Sequence, residues 1–469
     1  MRAKRTIEKT RMNKIHLKTL YTVVILLLCL TPLVGMAFHP TKVNIGNQAL
    51  PDLPKAMTDD GRINTGYLQE LSDWYDGRFA FRPEIIAVNS ALYEKLFSES
   101  SSDEIIVGSD DWLYYSATLD DFQHRNPISE RMLFNIAHNV ALMQEYAEGQ
   151  GVKFLFTIAP NKNSLYPDKM PDRYRIAVED KSDVERLVPW LKEEEVNYLD
   201  LFGLFEESDD VLYYKRDSHW TEDGAILVYQ KLLEKIGRDG ISFPETPASY
   251  TGVNGDLDKM LYPTGGISED KKVYLSDASW YYIGEADDVE DDYIETEQSY
   301  GKGSLLMYRD SFGNSMLPYM AETFGKAAFS KIVPYDMDDL YFTGADTMII
   351  ERVERHLPTL GNVAPIMKAP VRHDIRPEDL IKADTEEYPP EVAQTSDGWY
   401  YRISGSLPEI KDLKARILVS AGDEDKELYE AFCISGTDGA YGYQACIPVE
   451  DISGDIGNIK IYIYTEGEL

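Results

Sequence analysis

Twenty consecutive residues near the amino terminus, Thr19–Phe38, carry no charge, and no other feature limits so strongly what this chain can be. A helix of that length spans about 30 Å, the thickness of the hydrocarbon core of a membrane. The eighteen residues before it hold seven Lys or Arg and one Glu, a net charge of +6. Basic residues before a membrane span favour a cytoplasmic amino terminus and export of the residues after the span. We therefore predict a cytoplasmic tail over 1–18 and a transmembrane anchor or a signal over 19–38.

Both alternatives for this stretch stay open. Gly35-Met36-Ala37 loosely fits a signal cleavage site, whereas the long apolar run favours an uncleaved, single-pass anchor. The whole chain has 469 residues and a net charge of −34, so the part after residue 18 carries −40. Such acidity excludes nucleic acid as the main partner, because phosphates would be repelled. Three cysteines exclude a disulfide framework, and Cys433 and Cys446 form either a hairpin disulfide or two buried thiols.

Apolar runs and helical patterns alternate through the middle of the chain. The runs are bounded by turn residues, as strands buried on both faces of a parallel sheet are. Between them, apolar residues recur at helical spacing. This alternation predicts an α/β fold with a doubly wound parallel sheet. The predicted strands are Lys153–Pro160, Tyr198–Phe202, Val211–Lys215, Ser304–Tyr308, Lys326–Pro334 and Thr347–Glu351.

Changes in pattern divide the exported part. One amphipathic helix is predicted over Trp74–Leu96, and the acidic run Glu285–Glu297 is predicted to be a solvated loop. Short strands separated by turns predict a small β-sandwich near the carboxyl terminus. The predicted divisions are a stalk over 39–75, an α/β domain over 76–370 with an insertion over 238–303, and the β-sandwich over 388–469.

The segment Asp217-Ser218-His219-Trp220-Thr221 follows an apolar run and precedes a helical pattern. Alternate residues of an extended segment point to the same side, which places Asp217 beside His219. A carboxylate can then hold one imidazole nitrogen and leave the other free to act as a base. A structural histidine and a metal ligand are the alternatives, although the sequence offers no further ligands for a metal.

The segment Arg309-Asp310-Ser311-Phe312-Gly313 also follows a predicted strand and opens a helix. A serine on such a turn projects its hydroxyl above the edge of the sheet, as in nucleophile elbows. Gly313 would allow the close approach of another backbone or of a substrate. The alternative is a plain helix-capping serine.

A third segment, Pro160–Tyr166, also follows a predicted strand. Asn161 and Lys162 could donate hydrogen bonds to an oxyanion or to a polar substrate, or the segment is an ordinary turn. The candidates for substrate or oxyanion binding are Asn161, Lys162, Tyr166, Trp220, Arg309 and Gly313.

These motifs resemble those of the AlgX/AlgJ-like and DHHW proteins, an SGNH-hydrolase-like family. The resemblance covers about residues 65–360. Supporting matches are FAFRPE (79–84), VGSDDWLYY (107–115), APNKNSLYP (159–167), GDLDKML (255–261) and IIERVER (349–355).

The resemblance implies a flavodoxin-like domain with permuted motif order, in which the Asp-x-His pair precedes the serine. It implies Ser311 as nucleophile, His219 as base and Asp217 as orienter, with no metal and no cofactor. Ser218 replaces the first histidine of the DHHW motif, and Arg-Asp replaces the Gly-Asp that precedes the serine in ordinary SGNH esterases.

The resemblance further implies O-acetylation of a cell-envelope polysaccharide outside the cytoplasm, with a membrane-bound O-acyltransferase as a partner that delivers the acyl group. An acetyl-esterase with the same residues and a non-catalytic carbohydrate-binding or assembly protein are the alternatives. The acidity disfavours strongly anionic glycans unless a basic groove offsets it, and Lys162, Lys215 and Arg309 are the candidates for such a groove.

Overall fold

The computed structural model describes residues 2–42, 50–58, 61–176, 180–275, 277–408, 410–422, 427–436, 441–452 and 456–465, and for 2–17 only the helical backbone. Parts of the predicted stalk, 43–49 and 59–60, lie outside these residues. The chain divides into two compact units. Unit 1 comprises Met1–Ser116, Lys215–Ser218 and Gly252–Glu269, and unit 2 comprises Ala117–Tyr214, His219–Thr251 and Asp270–Leu469.

The helices and strands are numbered in chain order. The α-helices are α1 (Arg2–Gly35), α2 (Tyr67–Arg78), α3 (Arg82–Phe97), α4 (Leu119–Phe122), α5 (Glu130–Gly149), α6 (Lys162–Leu165), α7 (Asp183–Glu193), α8 (Leu201–Glu206), α9 (Glu222–Ile236), α10 (Asp256–Leu261), α11 (Leu317–Thr323), α12 (Asp339–Thr343) and α13 (Pro358–Asn362). The first nine strands are β1 (Ile105–Val107), β2 (Leu113–Tyr115), β3 (Lys153–Ala159), β4 (Tyr198–Leu199), β5 (Ser249–Val253), β6 (Glu269–Val273), β7 (Trp280–Ile283), β8 (Tyr293–Gln298) and β9 (Ser304–Tyr308). The remaining strands are β10 (Lys326–Ser330), β11 (Thr347–Val353), β12 (Leu380–Lys382), β13 (Glu391–Gln394), β14 (Tyr400–Leu407), β15 (Arg416–Ala421), β16 (Tyr429–Ser435), β17 (Tyr441–Pro448) and β18 (Ile459–Tyr464).

Unit 1 contains the long amino-terminal helix. Within α1, Lys18–Gly35 is long and apolar enough to cross a membrane, with a mean hydropathy of 1.8 and no residue of that stretch buried. The finding agrees with an anchor and with a signal alike. The predicted single helix over 74–96 is instead two helices, because Phe81 adopts a left-handed conformation (φ 63°) just before α3. Pro83 then stands in the first turn of α3, where its fixed φ suits a helix start.

Unit 2 is built on a seven-stranded sheet with the order β4-β3-β11-β9-β10-β8-β7. The first five of these strands are parallel, as the alternating pattern predicts. Counted from β9 through β10 and β11 to β3 and β4, they lie in the order 2-1-3-4-5 of flavodoxin-like sheets.

Both faces of the sheet are covered, which explains the continuous apolar runs. Phe154 and Phe156 of β3 pack on one face with α5 and α7, whereas Leu155 packs on the other face with α9 and α11. The α/β fold predicted from the sequence is confirmed. It is followed by the strand-rich region that the sequence also predicts.

Two local predictions are wrong. Val211–Lys215 is not a strand of the sheet, since Tyr213 forms only an isolated bridge with Trp220. Its apolar character reflects the burial of Leu212 and Tyr213 beneath α9 instead. The acidic run 285–297 is not wholly a loop, because Tyr293–Gln298 forms β8, antiparallel to β10. In β8 the buried residues alternate with the glutamates, a period of two that the acidity obscures.

The carboxyl-terminal strands form one antiparallel seven-stranded sheet, β12-β18-β15-β16-β17-β14-β13, which begins before the predicted boundary at residue 388. Cys433 on β16 and Cys446 on β17 are buried free thiols, so the second of the two alternatives holds. Residues 437–440 of the turn between these strands lie outside the described residues.

A buried ion cluster joins α5 to the carboxyl-terminal sheet. His138 contacts Glu194 at 2.7 Å and Glu430 at 3.0 Å, and the Arg372 guanidinium also bonds Glu430. Burial acts to lower the pKa of His138, but the two carboxylates outweigh it and raise the pKa to about 9. Burial acts to raise the pKa of Glu430, but His138 and the two nearby arginines lower it to about 2. Glu430 therefore stays ionised, and His138 stays protonated, over a wide range of pH.

This cluster predicts how stability depends on pH. The His138 contribution is complete below its ordinary pKa of 6.5 and is lost as the pH rises through about 9. The Glu430 contribution is complete above its ordinary pKa of 4.5 and is lost as the pH falls towards 2. We expect His138→Gln to destabilise unit 2 by about 3 kcal/mol, because it leaves the buried Glu430 with fewer partners. Thermal unfolding of the detergent-solubilised chain at several pH values measures both effects.

The matched control is Lys231→Gln, which removes a partner of Glu234 from an exposed ion pair. An exposed pair of this kind contributes less than about 1 kcal/mol. A His138→Gln protein that keeps the wild-type loss of stability between pH 6.5 and 9 would contradict the assignment.

Candidate active site

Ser311 lies directly beyond the carboxyl end of β9, in a single turn of 3-10 helix over Ser311–Asn314. Its Oγ is 2.8 Å from Nε2 of His219, a hydrogen bond within unit 2. Because β9 and β11 are the first and third strands of the flavodoxin-like order, Ser311 stands at the point where the strand order reverses. Open α/β sheets bind their ligands at such switch points.

His219 is held by a tight loop between Leu212 and Thr221. The Thr221 N–H donates to the Leu212 carbonyl at 2.7 Å, and the Tyr214 N–H donates to the His219 carbonyl at 3.2 Å. The Thr221 side chain then caps α9 by accepting from the Gly224 N–H. This local pairing, rather than a strand of the sheet, presents His219 at the site.

Two members of the segment Pro160–Tyr166 support that loop. Lys162 Nζ donates to the Tyr214 carbonyl at 3.1 Å, and the Tyr166 hydroxyl accepts from the Leu212 N–H at 2.9 Å. Lys162 is buried, so its ammonium lies inside the protein and does not line a surface groove. The structure therefore favours a positioning role for both side chains over the predicted contact with substrate.

Aromatic side chains pack against the serine turn and hold it in place. The centre of the Phe312 ring lies 4.8 Å from the centre of the tilted His219 ring. It lies 4.9 Å from the centre of the Trp220 ring, which it meets edge to face. The Trp220 indole N–H donates to Ser315 Oγ at 2.7 Å, and Ser315 lies just past the turn. The predicted candidate Trp220 is thus buried, and it positions the turn.

Asp310 ties the serine turn to the neighbouring strand. Its carboxylate accepts from the Phe312 N–H at 3.0 Å and from the Val353 N–H at 2.7 Å, while its own N–H donates to Glu351 at 3.1 Å. Burial acts to raise the pKa of Asp310, but His356 and these N–H groups outweigh it, so the pKa is lowered. Burial and the charge of Asp310 together hold the pKa of Glu351 well above its ordinary value. The pKa values of the two carboxyl groups are thus shifted in opposite directions.

Arg309 and Gly313 pack closely against each other. Arg309 is fully buried, and its guanidinium donates to the carbonyls of Val289 at 2.9 Å and Asp291 at 3.3 Å and bonds Asn314. A Cβ at Gly313 would lie 2.7 Å from Cδ and 2.8 Å from Cβ of Arg309. The glycine makes room for the arginine side chain, and Arg309 does not contribute to a basic groove.

Asp217 belongs to unit 1, where it accepts from the Asp256 N–H at 2.9 Å. Asp256 also accepts from the Ser218 N–H at 2.7 Å. A Cβ at Gly255 would lie 2.1 Å from the Arg216 carbonyl, so the chain must be glycine there. The GDLDKML segment thus packs on the start of the Asp-x-His motif. The role of Asp217 towards His219 stays a prediction.

Sequence reasoning missed Arg355, which follows β11 at the same edge of the sheet. Its guanidinium lies 5.6 Å from the centre of the Phe312 ring and 3.4 Å from the Asn161 side-chain oxygen. The available signal was its place just beyond the carboxyl end of an apolar strand. Next to it, His356 is partly exposed, with Nδ1 3.7 Å from the Asp310 carboxylate.

A cleft of about 790 Å³ opens beyond the ends of β3, β4 and β11. Asn161 separates it from Arg355 and donates to Asp121 at 3.1 Å. Buried Glu354 accepts from the Asn161 N–H at 2.9 Å and from Ser164 Oγ at 2.7 Å. Burial raises the pKa of Asp121 to about 6 and the pKa of Glu354 to about 7. The ionisable side chains that line the cleft are Asp121, His124, Arg175, Lys181, Glu185, Asp200, Glu206 and Glu354.

Comparison with known proteins confirms the resemblance seen in the motifs. Residues 105–264 match the family model described as "SGNH hydrolase-like domain, acetyltransferase AlgX". Asp217 and His219 fall inside this range, and Ser311 falls outside it.

Two curated relatives are named "Probable alginate O-acetylase AlgJ". That of Pseudomonas fluorescens is 24% identical over 205 residues, covering 42% of this chain and 47% of the relative. That of Pseudomonas syringae pv. tomato is 25% identical over 182 residues, covering 38% and 44%. This chain thus spans slightly less than half the length of these relatives. Among solved structures, Bacillus cereus PatB1 with a sulfonyl adduct aligns with a TM-score of 0.42 at 16% identity, over 54% of this chain and 95% of PatB1.

We expect Gly313→Ala to displace Arg309 and to distort the serine turn. Overpacking of this kind costs about 1–3 kcal/mol. Because a displacement of about 1 Å at a reacting group lowers rates about a hundredfold, hydrolysis of an activated acetyl ester should fall by at least tenfold. Steady-state kinetics and thermal unfolding measure the two effects.

The matched control is Gly149→Ala at the end of α5, where an added Cβ meets nothing within 4 Å. It should leave the hydrolysis rate unchanged. Equal rates for Gly313→Ala and the wild type would show that the close packing of Arg309 does not hold the turn.

Proposed function

Starting from this AlgX/AlgJ-like SGNH-hydrolase-like domain, we propose that the chain is an extracytoplasmic O-acetyltransferase that modifies a cell-envelope polysaccharide. The observation that carries the proposal is the 2.8 Å hydrogen bond between Ser311 Oγ and His219 Nε2 at the switch point of the sheet. A serine and an imidazole at this distance are the minimum for an activated nucleophile. The names of the AlgJ relatives support polysaccharide O-acetylation as the activity of such a site.

The reaction follows from this pair of side chains. His219 Nε2 takes the proton of Ser311 Oγ as the oxygen attacks the carbonyl carbon of the acetyl donor. The bond from that carbon to the donor's leaving oxygen breaks, and the leaving group receives the proton from His219. A sugar hydroxyl then gives its proton to His219 and attacks the acetyl-serine ester. Ser311 Oγ leaves and regains the proton, and the acetyl group is on the sugar.

The remaining roles at the centre are proposed from position. Asp217, two residues before His219, is assigned to hold the second imidazole nitrogen, as alternating side chains in an extended segment suggest. The N–H groups of Phe312 and Gly313 already donate to Asp310. The Ser311 N–H and the Arg355 guanidinium are therefore our candidates for stabilising the oxyanion.

We propose the cleft beyond β3, β4 and β11 as the site of the acceptor sugar. It lies at the edge of the sheet that also carries Ser311, and Asn161 and Arg355 connect the two places. Its lining is acidic, and Lys162 and Arg309 do not offset that charge because both are buried. This charge favours a glycan without carboxylates, in contrast to the alginate named for the relatives.

The charge-free part of α1 supports attachment to the membrane, with the acetylated polymer on the outer side. A membrane-bound O-acyltransferase that supplies the acetyl group is the proposed partner. Both of these assignments rest on the resemblance and on the apolar helix.

The serine assignment predicts an isolable acetyl-enzyme. After incubation of the full chain with p-nitrophenyl acetate, intact mass spectrometry should show the gain of one acetyl group on Ser311. The hydroxyl is the attacking group, so Ser311→Ala should lose this product entirely. Ser304→Ala, at the opposite end of the same strand, is the matched control and should acylate at the wild-type rate.

Three outcomes separate the hypotheses. Transfer of the acetyl group to an added oligosaccharide supports the transferase. Release of acetate at a rate that no oligosaccharide changes favours the esterase. Acylation that survives in Ser311→Ala excludes both enzymes in the form proposed.

The acidic cleft predicts how the choice of acceptor depends on pH. As Asp121 and Glu354 ionise between about pH 6 and 7, the KM for an oligosaccharide that contains uronic acid should rise, because its carboxylates are repelled. The KM for a neutral oligosaccharide of equal length should stay constant. Asp121→Asn should lower the KM for the uronic acid acceptor by about three- to tenfold at pH 7.5.

Glu234→Gln removes one negative charge from the exposed side of α9 and is the matched control. If both variants change the KM of the charged acceptor equally, only the total charge matters, and the cleft does not hold the acceptor.

A further inference from the structure

Helix α3 turns its apolar side chains outward. Val88, Leu92 and Leu96 are 62%, 53% and 68% exposed, and Ile85 is exposed with them. The spacing of three and four residues places all four on one stripe of the helix. A monomeric soluble protein rarely leaves such a stripe uncovered along a whole helix.

The other side of α3 is the one that packs on unit 1. Ser90 is buried and bonds Ser101 at 2.8 Å, and Ala87 and Ala91 are half-buried next to it. Glu94 accepts a hydrogen bond from the hydroxyl of Tyr262, the residue that follows α10. These contacts fix the rotation of α3 about its axis, so the apolar stripe cannot turn inward.

The membrane-spanning helix ends against the beginning of α3. A Cβ at Gly35 would lie 2.7 Å from Ala80 Cβ and 2.9 Å from the Phe81 ring. The Thr41 N–H donates to the Arg78 carbonyl at 3.0 Å, and the Thr41 hydroxyl donates to the Phe79 carbonyl at 2.8 Å. The corner between α2 and α3 is therefore attached to the point where α1 ends.

The exposed apolar surface continues from α1 onto α3. Leu33, Val34 and Phe38 are exposed at the end of the span, and Phe81 is exposed at the corner, just before the stripe begins at Ile85. The exposed apolar side chains of α1 and those of the stripe thus lie on either side of the contact between Gly35 and Phe81. This continuity argues for the same environment on both.

We infer that α3 lies in the interfacial layer of the membrane that α1 spans, with its stripe at the boundary between phospholipid head groups and acyl chains. Its sixteen residues give a length of about 24 Å, suited to lying along the surface. Tyr93 and Phe97, whose rings contact each other at 5.7 Å, flank the stripe as interfacial aromatic residues do. On the opposite flank Lys95 reaches towards the head groups. The inference rests on the membrane attachment in the proposed function.

A lipid surface fits this stripe better than a partner protein does. The stripe lies between Lys95 on one side and the rings of Tyr93 and Phe97 on the other. Aromatic rings at head-group level and a lysine that extends into the head groups are found where protein meets the membrane interface. Covering by a membrane-embedded partner is the competing outcome of the test.

The test places a polarity-sensitive label on single cysteines in the full chain. Cys29 is replaced by Ala, and Cys433 and Cys446 stay in place because both are buried. Leu92→Cys, Leu96→Cys and the control Lys231→Cys on α9 are labelled with NBD and reconstituted in phosphatidylcholine nanodiscs without any other protein. Quenching is measured with spin-labelled lipids that carry the nitroxide near the top of the acyl chain.

The labels at 92 and 96 should be quenched at least threefold more than the label at 231. Quenching at 92 and 96 no greater than at 231 overturns the inference, and a stripe buried only after addition of a membrane partner would then be the explanation. Adding Leu96→Glu should at least halve the quenching at 92, whereas Lys231→Glu on α9 should not. Acetylation of Ser311 in the same preparation reports on the proposed function separately, so either can fail without the other.

Discussion

The carboxylate of Asp310 joins the ends of the two strands between which the candidate active site lies. It accepts hydrogen bonds from the N–H of Phe312, next to Ser311, and from the N–H of Val353 at the end of β11. A buried carboxylate is tolerated only with such partners. Burial and the charge of Asp310 hold the pKa of Glu351 well above its ordinary value, which disfavours a second negative charge at the strand ends. The position of Ser311 relative to Arg355, two residues past Val353, depends on this link.

Several basic residues are buried, and their hydrogen bonds hold elements of the fold together. Lys162 holds the loop that carries His219, Arg309 holds the serine turn, and His138 joins α5 to the carboxyl-terminal sheet. Cations used in this way are withdrawn from the surface, where most of the acidic side chains that the structure describes remain. The acidity of the cleft is therefore a consequence of how the interior is stabilised as well as of the composition.

The elements with a strong local pattern were predictable from the sequence. β9 runs over Ser304–Tyr308 as predicted, and the five parallel strands follow from apolar runs that no surface position could tolerate. The approach of Ser311 to His219 was predictable because Ser311 follows β9 and His219 precedes α9, and both of these elements have a strong local pattern. The structures of Val211–Lys215 and β8 were not predictable. Val211–Lys215 is apolar because it is buried beneath a helix, which gives the same pattern as a buried strand. In β8 the alternating glutamates give the strand the polar composition of a loop. The supporting roles of Lys162 and Tyr166 depend on contacts across about fifty residues, which no local pattern encodes.

Arg309 stands where ordinary SGNH esterases have the glycine before Asp-Ser, and other parts of the chain accommodate this arginine. An arginine at position 309 needs space, which Gly313 provides, and it needs acceptors, which the carbonyls of Val289 and Asp291 provide. Those carbonyls belong to the acidic insertion, just before β8 adds to the sheet. A glycine at 309 would need neither. The insertion over 238–303 is therefore coupled to the serine turn through one side chain. Its removal would take away two carbonyl acceptors of a buried guanidinium next to Ser311, a cost far above that of shortening a surface loop.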